Sequence, residues 1–273
     1  MLLPPTFQFS QASFQDYVDC ARRFQLRYVL MQPWPALLVQ PAADAEAHLQ
    51  RGADFHRLVH QHAQGLSAEV LEATIADDTL ARWWYTYLHH PPDLPDGVVT
   101  SELQGSAPLA GYRVSARFDR LVLGQDGSAV IVDWKTSPRR PSRDVLGRRL
   151  QSRVYPWLLV RVGAAMRPSR PIAAGEVEMI YWFADQQGSV ERFAYSAEQL
   201  VADQEYLAGL VDEITARSES VWPLTLDERR CRFCNYRSLC ERGVTAGLLR
   251  ELDEDWELPE LEINLEQVAE IAF

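Results

Sequence analysis

The 273-residue sequence contains no run of 18 or more apolar residues, so no segment of it reads as a membrane span. Its start, Met-Leu-Leu-Pro-Pro-Thr, has neither a basic flank nor a small-residue cleavage site, which argues against secretion and makes the cytoplasm the expected location. Internal repeats and low-complexity stretches are also lacking. Cysteine is scarce, with Cys20, Cys231, Cys234 and Cys240 the only four. That is too few, in a chain this long, for the disulfide framework of a small secreted domain. What remains is an ordinary globular composition, 47% hydrophobic and 24% charged.

The net charge of −11 looks unfavourable for a nucleic-acid partner, but it is unevenly spread. Residues 251–273 carry nine acidic side chains and no Lys or Arg, and without them the body is nearly neutral. That body contains Arg139, Arg140, Arg143, Arg148 and Arg149, a cluster able to follow a phosphate backbone. A solvated helix face is the plainer reading of the same cluster. The acidic tail also carries Leu252, Trp256, Leu258, Leu261 and Ile263. It reads either as a solvating segment or as one that docks on a partner or on the chain's own basic groove.

Hydrophobic periodicity predicts helices over 13–31, 43–64 and 67–89, then a break at Pro91-Pro92 and Pro95-Asp96-Gly97. Strands are expected at 98–103, 112–123 and 129–134, with a hairpin turn at Gln125-Asp126-Gly127. A helix over 143–162, strands at 176–183 and 190–195 and a helix over 196–217 follow. The fold class is therefore α/β, a mixed central sheet flanked by helices. Four regions are expected. A helical part spans 1–95, a core 96–220, a cysteine-bearing segment 221–245 and an acidic tail 246–273.

Asp133 and Lys135 stand two apart at the end of an apolar strand, hence on one face of the sheet. Asp119 lies on the preceding strand, where antiparallel pairing can bring it near Asp133. Two carboxylates can hold Mg²⁺ or Mn²⁺ with water positions left open, and a neighbouring lysine can stabilise negative charge developing on a phosphate. Taken alone, Asp-x-Lys is as well explained by a surface pair. His56, in Gly52-Ala-Asp-Phe-His56, precedes these residues, and Gln151 and Tyr155 follow them on one helical face. Glu102 is either an extra ligand or a solvated strand-end charge. His60 pairs with His56 at i,i+4, but the Glu of a His-Glu-x-x-His zinc motif is missing, so His60 and His62 read better as surface or groove-lining residues. Trp134 and Trp157 fit core packing better than base stacking.

Cys231, Cys234 and Cys240 form Cys-x₂-Cys-x₅-Cys among Arg and Asn, a poor setting for inert thiols and a good one for a metal group, with Cys20 available as the fourth ligand. Zinc and [4Fe–4S] both accept four thiolates, and spacing does not separate them.

Taken in order, Gly-x-x-x-His, Asp119-Arg120, Asp133-Trp134-Lys135-Thr136 and Gln151-x-x-x-Tyr155 resemble the nuclease domain of the PD-(D/E)XK superfamily in its RecB-like branch. The cysteine pattern and the Ser13–Phe24 segment are similar to those of AddB nuclease subunits and CRISPR-associated RecB-like exonucleases. Ala116 stands where that family often has Gly, and Trp134 where it has Tyr or Phe. The resemblance implies a restriction-endonuclease-like core. In it His56, Asp119 and Asp133 bind Mg²⁺ or Mn²⁺, Lys135 is catalytic, and Gln151 and Tyr155 contact DNA or support the site. It also implies a [4Fe–4S] cluster on Cys20, Cys231, Cys234 and Cys240. The expected activity is that of a DNA exonuclease on single-stranded DNA or DNA ends, in repair, recombination or CRISPR adaptation, with a helicase or repair protein as partner. The alternative is a DNA-end-binding subunit that uses the fold without cutting.

Overall fold

The computed structural model describes residues 3–32, 40–167, 170–247 and 251. Most of the acidic tail thus lies outside the described residues, and so does the reading of it as a docking segment. Six strands form one mixed sheet: β1 (Gln8–Phe9), β2 (Gly97–Leu109), β3 (Tyr112–Gly124), β4 (Ala129–Lys135), β5 (Val177–Phe183) and β6 (Ser189–Ala194). The path runs β1-β3-β4-β5-β6, with β2 also paired to β3. β2–β3, β3–β4 and β5–β6 are antiparallel, whereas β1–β3 and β4–β5 are parallel. The expected mixed sheet with flanking helices is what forms.

Period two along β4 explains how both faces are covered. Ala129 and Ile131 join the cluster built with α7 (Leu150–Met166), α8 (Ala197–Thr215) and α1 (Gln11–Asp19). Val130, Val132 and Trp134 point the other way, into a cluster with α3 (Gln40–Ala63), α4 (Ala68–Glu72) and α5 (Asp78–His89). All seven residues of β4 are buried, as suits a strand covered on both faces. Trp134 and Trp157 belong to this packing, at 2% and 0% exposure.

Four expected elements differ in their limits, each for a local reason. The first helix breaks at Cys20, whose extended backbone (φ −164, ψ 108) ends α1 and opens α2 (Ala21–Phe24). The 67–89 helix divides where the Asp77 side chain accepts from the Thr79 and Leu80 amides, capping α5. The 143–162 helix restarts at Arg149, with ψ 144, between α6 (Arg143–Arg148) and α7. β2 continues six residues beyond 103, through Gly105 and Pro108, because an edge strand tolerates both. It turns into β3 at Ala110-Gly111, both with positive φ, a tight hairpin that an alanine conceals.

Candidate active site

The site forms where β3 and β4 part. Their ladder ends at the Arg120–Val132 pair, so Asp119 and Asp133 come next. The Asp119 carboxylate replaces the missing ladder bond by accepting from the Trp134 amide at 2.9 Å. From above, α3 brings His56, whose Nδ1 lies 3.4 Å from Asp119 Oδ1. The helix can approach this closely because Gly52, one turn earlier, has no Cβ; one placed there would sit 3.0 Å from Thr136 Oγ1. Burial pushes the Asp119 carboxyl up. The His56 charge and hydrogen bond, the Trp134 amide and Lys135 together hold it below the ordinary aspartate range.

Glu102 is not at a strand end. It sits inside β2, half-buried, with Arg117 Nε 3.0 Å from its carboxylate. Desolvation and the negative charge of Asp119 raise its pKa. One ligand atom each from His56, Glu102 and Asp119 lie within 4.8 Å of one another, the one such grouping among the described residues. An imidazole and two carboxylates make a donor set suited to Mg²⁺ or Mn²⁺.

Asp133 and Lys135 face α7, as their spacing predicts. Lys135 Nζ is 2.9 Å from Asp133 Oδ2 and donates to Gln151 Oε1 at 2.7 Å. Gln151 Nε2 in turn donates to Asp133 Oδ1 at 2.5 Å. All three are buried, Gln151 to 1% exposure. The restart of the helix at Arg149 puts Gln151 in the first turn of α7, at the end of β4. Truncating Gln151 to Ala strips both charged partners of a neutral bridge, so a loss of about 1–3 kcal/mol is expected in chemical denaturation. Unchanged stability would show that the bridge is not formed.

The sequence profile that matches residues 8–241 is that of the PD-(D/E)XK nuclease superfamily. The chain belongs to that superfamily. No curated protein matches it. Among solved structures, the PD-(D/E)XK chain resembles a presumed exonuclease from Eubacterium rectale, at TM-score 0.52 and 9% identity, over 88% of this chain and 90% of that one. That likeness is one of fold. A second structure, SSO0001, aligns at TM-score 0.34 and 14% identity, over 54% of this chain and 61% of that one.

Other expected residues of this PD-(D/E)XK chain fall as follows. Tyr155 is buried, its ring edge-on to Phe118 at 5.5 Å. Arg140 and Arg143 both pair with Glu191 of β6, Arg149 is buried, and Arg139 and Arg148 are exposed. His62 packs on α5, with Nδ1 3.1 Å from Tyr87 Oη. The four cysteines line one cavity together with Arg23, Arg230, Arg237 and Arg242. Arg242 Nη1 lies 3.6 Å from Cys231 Sγ. Burial raises the Cys234 thiol to about 11, with Cys20 and Cys240 adding to the rise and Arg23 opposing it.

One residue of the site, Tyr181, escapes motif reading, and one signal about Lys135 lies outside its motif. Tyr181 on β5 lies under Lys135, its ring centroid 5.5 Å from Nζ and its hydroxyl 2.7 Å from Ser152 Oγ. Its only signal is its place in an apolar strand. The other signal is compositional: of 27 basic residues, Lys135 alone is lysine.

Proposed function

We propose that the chain is a metal-dependent deoxyribonuclease of the RecB-like branch, acting as an exonuclease on DNA ends in repair, recombination or CRISPR adaptation. The observation that carries this reading is the His56–Glu102–Asp119 grouping beside the Asp133–Gln151–Lys135 chain at one end of β4. A divalent cation held there would lower the pKa of a water and offset charge on the phosphate. His56, Asp119 and Asp133 would hold the cation, and Lys135 would stabilise the oxyanion as it develops. Gln151 keeps Lys135 and Asp133 in fixed orientation, and Tyr155 supports the wall behind Asp119 through Phe118. Arg139, exposed in the segment after β4, and Arg148, exposed at the end of α6, suit contact with the phosphate backbone.

Cys20, Cys231, Cys234 and Cys240 are proposed to hold a [4Fe–4S] cluster. Zinc and [4Fe–4S] both accept four thiolates, and the likeness of the cysteine pattern to that of RecB-like exonucleases favours the cluster. The surrounding arginines offset the charge of four thiolates.

Linear and covalently closed circular DNA, each incubated with Mn²⁺, test the activity. Linear DNA is expected to be degraded from its ends while the circle persists. Cutting of the circle makes the protein an endonuclease, and binding of ends without cleavage makes it an assembly subunit.

A further inference from the structure

β2 and β3 pair regularly on both sides of one position and fail only there. Pairing runs from Gly97–Gly124 to Ser101–Arg120 and resumes at Leu103–Phe118, skipping Glu102 and Asp119. The faces change across that gap. Val114, Ala116 and Phe118 point to the α7 cluster, yet Arg120 points to Tyr87 and Trp134 on the other face, and Leu121 returns to the first. Glu102 has φ 56, a left-handed backbone that brings its Cβ against a carbonyl oxygen.

The result of this irregularity is unfavourable for an empty protein. It turns a second carboxylate toward Asp119, so that two like charges share one corner with His56. Among the described residues Arg117 forms an ion pair with Glu102, but its side chain is 59% exposed, so the pairing counts for little, and His56 and His60 add weaker attraction. One turn beyond His56 on α3, the Nδ1 of His60 is buried with no hydrogen-bond partner among the described residues. A strained backbone that gathers repelling groups is the pattern of a site that trades stability for ligand binding.

Building on the nuclease reading above, we propose that Glu102 is a protein ligand of the divalent cation, which in the DNA-free protein is held by His56, Glu102 and Asp119. Asp133, with one oxygen on Gln151 and the other beside Lys135, contributes less to cation affinity at that stage.

Calorimetric titration of the metal-free full chain with Mn²⁺, in the absence of DNA, tests this independently of cleavage. Glu102→Gln is expected to raise the Mn²⁺ dissociation constant at least tenfold, as is His56→Ala, whereas Asp133→Asn raises it less than threefold. Glu102→Gln should also melt at or above the wild type without metal, and lose most of the Mn²⁺-induced rise in melting temperature. Glu102→Gly, which adopts the left-handed backbone without penalty, guards against misfolding and should lose affinity equally. Wild-type affinity in Glu102→Gln and Glu102→Gly overturns the proposal. So does an Asp133→Asn loss larger than theirs, and both results leave the nuclease reading intact. Failure of the wild type to bind Mn²⁺ at millimolar concentration overturns both.

Discussion

Replacing Lys135 by arginine is expected to slow DNA cleavage by at least ~10²-fold although the charge is kept, and replacement by methionine by ~10³-fold. The chain uses arginine at every other basic position, so a lysine retained here points to a task that a guanidinium performs poorly. The geometry supplies the reason. Lys135 is 5% exposed, and its Nζ fits between Gln151 Oε1 and Asp133 Oδ2, over the ring of Tyr181. A compact ammonium with three donors can hold both contacts and still present a proton to the phosphate. A planar fork with five donors is too wide for that slot and leaves donors unsatisfied. Overpacking adds about 1–3 kcal/mol of destabilisation, so melting curves must accompany the rates. Methionine matches the volume and removes the charge, which separates chemistry from packing. Single-turnover cleavage of end-labelled DNA with Mn²⁺ is the measurement. Near wild-type rates for Lys135→Arg would show that only positive charge matters, and near wild-type rates for Lys135→Met would remove this lysine from the reaction.

Period-two spacing made much of this site readable. Asp133 and Lys135 had to share a face once the apolar run before them was taken as a strand, and β4 packs as that run implies. Gln151 followed from its four-residue spacing to Tyr155 and the Gln-x-x-x-Tyr resemblance, but its bridging of Asp133 and Lys135 did not, because the helix restarts at Arg149 where periodicity sees one continuous element. Glu102 was ambiguous for a similar reason. The weak strand-forming stretch Gln104–Leu109 hid the second half of β2, so an internal residue looked terminal. Its orientation depends on a left-handed backbone that no residue type announces, since glutamate is not chosen for positive φ. The arginine cluster was legible as charge but not as surface. Two of its members are taken up by Glu191, which lies about 50 residues away in sequence on β6. Helices of residues 1–95 cover both faces of the sheet, an arrangement that amphipathic periodicity alone leaves open.

Loss of one cysteine is expected to have the largest effect on stability. Cys20 sits in the extended joint between α1 and α2, and the other three thiols lie more than 200 residues further along. A group binding all four closes a very long loop. By the chain-entropy relation for a cross-link, that restricts the unfolded chain by on the order of 5 kcal/mol. For a chain of this size, with ~2–4 °C of melting temperature per kcal/mol, Cys231→Ser should melt about 10–20 °C lower. Non-covalent ties join the same segments: the Phe24 and Trp222 rings stack at 5.7 Å, Gln25 Nε2 donates to the Ser220 carbonyl, and the Trp222 amide donates to Gln25 Oε1. Those contacts keep the terminal segments docked in the native state, so Cys231→Ser should still fold. They vanish on unfolding, however, and cannot replace a restraint that acts on the unfolded chain. Anaerobically purified protein, assayed for iron and acid-labile sulfide beside its melting curve, provides the check. Four irons and four sulfides per wild-type chain, both depleted in Cys231→Ser together with the lower melting temperature, is the expected result. Zinc in place of iron would keep the clasp and change its chemistry, whereas an unaltered melting temperature would show that these thiols clasp nothing.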